Sequence, residues 1–459
     1  MPSRQDQLHS YQFTIQRAVA ALVMRETDPA QSPFRRLAGA ALASVLVAAI
    51  SLGGFALYGL FTGVGTKWRD TGAVIVEKES GARFVYREEK LHPVLNYASA
   101  LLIIGAERPK TVLVSRRSID GVPRGLPLGI ADAPDSLPAP GRLSTAGWTV
   151  CSTTGAGRTP RSVLLVGVAA DGGRALGDDG LLVRDPHGAL HLLWQQRRHL
   201  VRDVNRVLAV LAATRARAVP VAPALLNTVA AGADLVPPAL PGLGGRSAAV
   251  PGARVGDVYV VSNSGGGRQY AAVLRHGLAG ITELQAGLLL ARTGQREAER
   301  VTLGRFAALP KVPDLVPTGP SAPPPAPPRL AASDTAGLCT RTADDGGAAE
   351  VRLGVPLPDL ATVPRTAMAT AGGVLADHIV VEPGRGVVVE AVAAPGATGG
   401  AVSVVTDLGR RYVLADGAVL GMLGYREVRP VRLPAGLVSL IPAGATLDPA
   451  AARVVAAPA

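Results

Sequence analysis

From Leu37 to Phe61 the sequence reads LAGAALASVLVAAISLGGFALYGLF, without one charged side chain. About 25 residues at ~1.5 Å each are enough to cross ~30 Å of hydrocarbon as a helix, which satisfies its own backbone groups. Glycine and serine within the run weaken a helix in water but are common in membrane helices and at their interfaces. A cleaved leader would have a shorter apolar region nearer the amino end. With 36 residues ahead of it, the run predicts an uncleaved signal anchor.

Flanking charge sets the orientation. Arg25, Arg35 and Arg36 precede the span, with Arg4 and Arg17 further back, and only Lys67 and Arg69 follow closely. The more basic short flank stays in the cytoplasm, so nearly everything from Gly63 to Ala459 is predicted outside. Residues 1–36 form the inner segment. Leu8, Tyr11, Ile15, Val19, Leu22 and Val23 recur at helical spacing until Asp28-Pro29 and Ser32-Pro33 break the pattern. Such a helix is marginal alone in water and is expected to dock on a partner or the bilayer. The candidate docking residues are Tyr11, Phe13, Ile15 and Arg17.

An aromatic fraction of 4% within a hydrophobic fraction of 48% suits several small Val/Leu/Ala cores better than one large one. Net charge is +12, carried mostly by arginine. A basic surface suits anionic lipid, wall polymer or nucleic acid, but an outside location and the lack of an aromatic-and-basic motif argue against nucleic acid.

The outer part repeats itself. Ala73–Val76 and Arg83–Tyr86 read as strands, Leu91 to Ala106 carries apolar residues at helical intervals, and Val112–Val114 resumes a strand. Gly409 to Pro449 follows the same plan. Its second part matches Ala218 to Pro238, with Val219-Pro220, Leu225-Leu226 and Ala231-Gly232-Ala233-Asp234-Leu235 against Arg429-Pro430, Leu437-Val438 and Ala443-Gly444-Ala445-Thr446-Leu447. A weaker copy spans Asp257 to Leu309. Four copies of roughly 55 residues are expected, too loosely spaced for a solenoid. APPPAPPR, Ala322–Arg329, reads as a stiff polyproline linker, and Leu240–Val250 as a looser tract.

The two cysteines, Cys151 and Cys339, sit in similar frames, TAGWTVC and TAGLC, each after a Pro-rich exit. Two related halves follow, each a repeat, a Cys segment and a repeat. Equivalent positions in such halves can meet near the axis relating them, and an oxidising compartment favours a bond. The alternative is a pair of buried thiols.

Motifs for chemistry are missing. No G-x-x-x-x-G-K-[ST], G-x-S-x-G or H-E-x-x-H is present. His187 and His191 stand i, i+4 in a strand-like stretch without a third ligand. Asp377-His378 has no serine nearby in sequence, and Asp344-Asp345-Gly346-Gly347 reads as a turn. No cofactor or metal is expected.

A family resemblance rests on Arg4-Gln5, Tyr11-Gln12-Phe13 and Arg17, on Trp68-Arg69 with Val74-Ile75-Val76-Glu77, and above all on LHPVLNYASALLI, PRGLPLGIADAPDSLP, WTVC and VTDLGRRYVLADGAVLGMLGY with LIPAGATLDPAAAR. In this order the set resembles EccB, a membrane subunit of the type VII (ESX) secretion system of actinobacteria. Ser32, Ser152 and Gln16 depart from its pattern. The resemblance implies an α+β protein with one membrane helix and four small α/β repeats around a disulfide-linked, β-rich central domain of pseudo-two-fold form. It also implies an inner-membrane core subunit that meets the motor ATPase EccC, EccD and EccE and self-associates.

The expected divisions are 1–36 cytoplasmic, 37–61 transmembrane, 73–140 repeat 1, 141–185 first central part, 186–240 repeat 2, 252–315 repeat 3, 316–330 linker, 331–400 second central part and 401–450 repeat 4. Some EccB proteins are described as ATPases, but the missing phosphate cradle favours a structural, non-enzymatic subunit. The competing readings are an envelope regulator, a wall-polymer binder or a weak nucleotide hydrolase.

Overall fold

The computed structural model describes residues 3–24, 33–61, 67–154, 159–168, 170, 172–263, 265–332, 337–342, 349–366, 374–394 and 396–456. The predicted breaks at Asp28-Pro29 and Ser32, the Asp344–Gly347 turn and the Thr335-Ala336 frame lie outside these residues.

Two helices open the chain, Arg4–Met24 and Pro33–Phe61. Pro33 starts the second helix where the sequence suggested only a break, because proline lacks just the N–H that a first turn leaves unbonded. Within it Ala38–Leu57 is apolar enough to span a membrane and none of it is buried in protein.

Beyond the span the chain builds four small sheets of one design. Repeat 1 runs through strands Ala73–Glu77, Arg83–Arg87 and Lys90–Pro93, helix Tyr97–Ile104 and strand Lys110–Val114. The first three strands make two antiparallel hairpins, and the last pairs in parallel beside the first. A parallel partner needs a crossover, and the helix supplies it. Asn96 sets where that helix begins: its side chain accepts from Ser99 N at 2.9 Å. A threonine with a full capping box, Thr282 with Gln285, starts the helix Glu283–Thr293 of repeat 3, and Asp416 accepts from Ala418 N ahead of helix Ala418–Met422 in repeat 4.

Repeats 2, 3 and 4 begin at Leu181, Val258 and Val387. Strands Leu181–Arg184 and Val387–Val392 therefore belong to repeats 2 and 4, although the sequence reading placed both stretches in the central domain. Near-continuous apolar strands such as LLVR and VVVEAV carry no period that separates one sheet from another. The spacing between repeats is irregular because central strands are spliced in after repeats 1 and 3.

The central sheet takes strands from both halves, in the order His378–Val381, Pro160–Val166, Thr149–Thr154, Leu338–Arg341, Glu350–Leu353, Arg174–Ala175. Its middle pair, Thr149–Thr154 against Leu338–Arg341, is antiparallel. That arrangement places a pseudo-two-fold between the two.

The halves are crossed. Repeat 1 packs on repeat 4 in one core, where Leu101 and Leu102 meet Val404, Val419 and Leu423. Repeat 2 packs on repeat 3, with Val207 and Leu208 against Leu284 and Leu288. Repeats 2 and 4 meet beneath the central sheet, where Leu225 and Leu226 share a core with Leu437, Val438 and Trp148. Contacts thus run from repeat 1 through repeat 4, the centre and repeat 2 to repeat 3.

Candidate functional site

Two devices fasten the halves to each other, and a third closes individual repeats on themselves. The first is the bond between Cys151 and Cys339. The two residues face each other directly across the middle strand pair, and both are fully buried. They lie 188 residues apart, so the bond closes a loop holding all of repeats 2 and 3. In the chain-entropy account such a loop is worth about 5 kcal/mol, with ~2–4 common in practice.

The second device was hidden from sequence by its separation. Ser162 Oγ donates to Asp377 Oδ2 at 2.8 Å, and Asp377 N donates back to Ser162 Oγ at 2.9 Å. Ser162 is therefore the serine near Asp377-His378 that the linear reading lacked. It is 1% exposed, while His378 Nδ1 sits 3.3 Å from the Val363 carbonyl. The serine bonds the carboxylate itself, with no imidazole between them. The pair fastens strand Pro160–Val166 to strand His378–Val381 rather than forming a nucleophile.

The third device recurs in repeats 1, 2 and 4. After its crossover the chain returns to lie beside the third strand, and there a ring covers a glycine. A Cβ on Gly125 would lie 2.2 Å from the His92 ring, on Gly232 2.3 Å from His199, and on Gly444 2.3 Å from Tyr412. Only glycine allows that approach. In repeat 3 the sizes are exchanged: Val312 N bonds Leu278 O as Gly232 N bonds Arg198 O, which puts Val312 at the glycine position and Ala279 at the ring position. A ring and a glycine 32–33 residues apart was the sequence signal that could have found this.

Electrostatics follow burial. Burial pushes the His191 and His199 imidazoles below their usual range, although the bond to Ala233 O works the other way at His199. The Glu77 carboxylate, held by Ser80 Oγ and by Arg116 Nε at 2.9 Å, is kept below the usual carboxylate range. His191 lies in a strand and is buried, and among the described residues no group of His, Cys, Asp or Glu is placed to hold a metal.

On the first helix, Tyr11, Phe13 and Ile15 are all exposed, and the Arg17 guanidinium lies 5.6 Å from the centre of the Phe13 ring. Helical spacing puts Tyr11 with Ile15 on one stripe and Phe13 with Arg17 on another, so the four do not form a single patch. Leu37 falls inside the second helix and Phe61 ends it.

Known proteins resemble this chain along its length. The profile of the family described as "Type VII secretion system ESX-1, transport TM domain B" matches residues 1–458. "ESX-3 secretion system ATPase EccB3" of Mycolicibacterium smegmatis is 30% identical, covering 96% of this chain and 88% of that protein. Its namesake from Mycobacterium tuberculosis is 28% identical over 96% and 87%. Among solved structures, a chain of "an intact ESX-5 inner membrane complex" superimposes with a TM-score of 0.66 at 27% identity, covering 100% of this chain and 96% of that one. A chain of the "EccB3 dimer from the ESX-3 core complex" gives 0.64 at 28%, covering 83% and 100%.

Proposed function

This chain belongs to the EccB family of type VII secretion membrane proteins, and from that premise we propose that it works as a scaffold, without nucleotide hydrolysis. It is a single-pass inner-membrane subunit of the ESX core, with a short inner segment and its bulk outside. The observation that carries the scaffold reading is the crossed, stapled centre. One span is joined to an outer body whose two ends cannot separate without breaking the Cys151–Cys339 bond. A body of this kind transmits position rather than chemistry.

The inner helix supplies the second attachment. Tyr11 with Ile15, and Phe13 with Arg17, give two stripes that partner subunits of the EccC, EccD and EccE type would cover, while the small-residue side of the span packs among their membrane helices. Self-association of the outer body is in line with the dimeric solved neighbour. The curated relatives carry the word ATPase in their names. This sequence holds no Walker-type phosphate cradle, which supports assembly over hydrolysis.

The experiment is a chromosomal deletion complemented by the full chain or by a Tyr11→Ala/Phe13→Ala variant. The full chain restores export and co-purifies the motor subunit in detergent; the variant anchors in the membrane but loses the motor. ATP turnover by the purified full chain above a heat-treated control would refute the non-enzymatic part, and export unaffected by deletion would refute the whole.

A further inference from the structure

A short reach of chain ties the outer body to its span. The membrane helix ends at Phe61, and the next element is the turn Lys67–Arg69, which packs on strands Ala73–Glu77 and Lys110–Val114. Six peptide steps of at most about 3.6 Å each cannot carry Lys67 more than ~22 Å from Phe61. The register shows which end of repeat 1 is held this way. Ala73 lies beside Lys110, Ile75 opposite Phe84 and Arg87 opposite Lys90, so the strand ends at Ala73, Arg87, Lys90 and Lys110 share one side. Helix Tyr97–Ile104 crosses back to that side and ends at Gly105, where a Cβ would lie 3.7 Å from Arg453 Nη2.

Positive charge collects at this end. Arg69, Lys90, Arg108, Lys110 and Arg453 are exposed there, and Arg87 is half-buried. Two of the nearby carboxylates are engaged, Asp70 with Lys110 at 3.8 Å and Glu107 with Arg426 of repeat 4. Glu88 and Glu89 are left against Arg69, Arg87, Lys90, Arg108 and Arg453, which form no ion pair among the described residues. At the opposite end of the sheet Arg116 Nε bonds Glu77 at 2.9 Å and Arg83 Nη1 bonds Asp135 at 2.7 Å, so each of these arginines is held by a carboxylate. Lysine is scarce in this chain, five in 459 residues, yet Lys67, Lys90 and Lys110 all fall on the tethered side.

We propose that the tethered end of repeat 1 rests on the anionic phospholipid surface of the outer leaflet and so fixes the tilt of the outer body. The apolar window of the span closes at Leu57. Phe61, ~6 Å further along the helix, therefore lies in the headgroup layer, which is about 5–8 Å thick on each side. Basic groups within a screening length of ~8–10 Å are drawn to an anionic surface. Ammonium groups on flexible stems suit mobile headgroup phosphates, and guanidinium forks bond phosphate oxygens. A single span leaves a body free to swing about its tether, and a charged second contact restrains it. An acidic partner protein would have to enter the gap that the tether limits, whereas headgroups already border it. This contact goes beyond the scaffold reading, since it needs only the span and the outer location.

The test places the full chain in nanodiscs of phosphatidylcholine, alone or with about 30% phosphatidylglycerol, and follows backbone hydrogen exchange. Exchange in residues 87–90 and 106–110 is expected to slow at least fivefold with phosphatidylglycerol and to recover at ~1 M salt. Residues 115–118, at the opposite end, should stay within twofold. This comparison of lipids uses the unaltered chain and needs no variant to fold. In K90Q/R108Q the slowing should fall by at least half while exchange at residues 115–118 matches the parent. Inorganic phosphate added to phosphatidylcholine nanodiscs should not reproduce it. No slowing, equal slowing at residues 115–118, full slowing in K90Q/R108Q, reproduction by inorganic phosphate, or slowing only after an acidic membrane protein is added would each overturn the proposal.

Discussion

The arm formed by repeats 1 and 4 and the arm formed by repeats 2 and 3 are built on one plan and hold together differently. Repeats 1 and 4 meet through a broad core in which Leu101, Leu102, Val419 and Leu423 are buried, and their rim carries cross-repeat ion pairs, Arg410 with Asp132 at 2.7 Å and Arg426 with Glu107. Repeats 2 and 3 meet along two helices. Gly287 lets Val210 approach so closely that a Cβ there would sit 2.8 Å away, and Arg206 Nε donates to Ala291 O at 3.2 Å. The difference teaches that the repeat specifies only its own sheet and crossover. How two repeats join is decided by the few residues at their helices, which differ between the arms while the sheet and crossover plan stays the same.

The sharpest way to break the comparison is to remove that staple. Cys151→Ala/Cys339→Ala should cost about 2–5 kcal/mol of stability, read as a lower denaturation midpoint under non-reducing conditions that reductant does not lower further. If the arms are independent once released, the variant should also unfold in two steps where the parent unfolds in one. A single transition in both would show that the core under the central sheet, with Leu225, Leu226, Leu437 and Val438, couples them without the bond.

Next in size is the ring-and-glycine device. Gly232→Ala drives a methyl into the His199 ring and should cost about 1–3 kcal/mol, in the range of core overpacking. The same substitution at Gly444 meets Tyr412 and should cost a similar amount. Repeat 3 supplies the rescue. His199→Ala/Gly232→Val copies its Ala279 and Val312 and should recover at least half of the loss, measured as a double-mutant cycle by chemical denaturation. Failure of the rescue would mean that repeat 3 closes by other contacts, among them Gly280 N to Asp314 Oδ1 at 2.9 Å.

What the sequence disclosed and concealed follows the same physics. The span, the sulfur pair and the strand–helix–strand order were legible because each leaves a local mark: an uncharged run, two cysteines in matching frames, a capped apolar stripe. Strands Leu181–Arg184 and Val387–Val392 were assigned to the wrong sheet because a buried strand shows no alternation and the sheet it joins is decided by distant partners. Ser162 with Asp377 was invisible because 215 residues separate them.

Acid should distinguish the arms more gently. Burial lowers the His191 and His199 imidazoles, both in repeat 2, below the usual 6.5. A histidine that is harder to protonate folded than unfolded takes up its proton on unfolding. Its contribution is therefore intact above about pH 6.5 and is lost as pH falls from there through the depressed folded value. The arm of repeats 2 and 3 should lose stability between neutral and mildly acidic pH, seen as earlier hydrogen exchange in helix Val204–Val210 than in helix Tyr97–Ile104. His199→Tyr, which imports the ring that repeat 4 uses at this position, should remove part of that slope. An unchanged slope would assign it to His191 alone.

The smallest effect expected lies at the rim of the other arm. Arg410 and Asp132 are about half exposed, so their pair is screened by solvent and worth roughly 0.2–1 kcal/mol. Asp132→Asn should lower stability by no more than that at low ionic strength and by almost nothing at ~1 M salt, where the screening length falls to about 3 Å. The Gly287 contact involves no charge, so Gly287→Ala in repeat 3 should cost the same at both salt concentrations. A salt-independent loss for Asp132→Asn would place that carboxylate in the packing of repeat 1 and remove the distinction between a charged rim on one arm and a steric fit on the other.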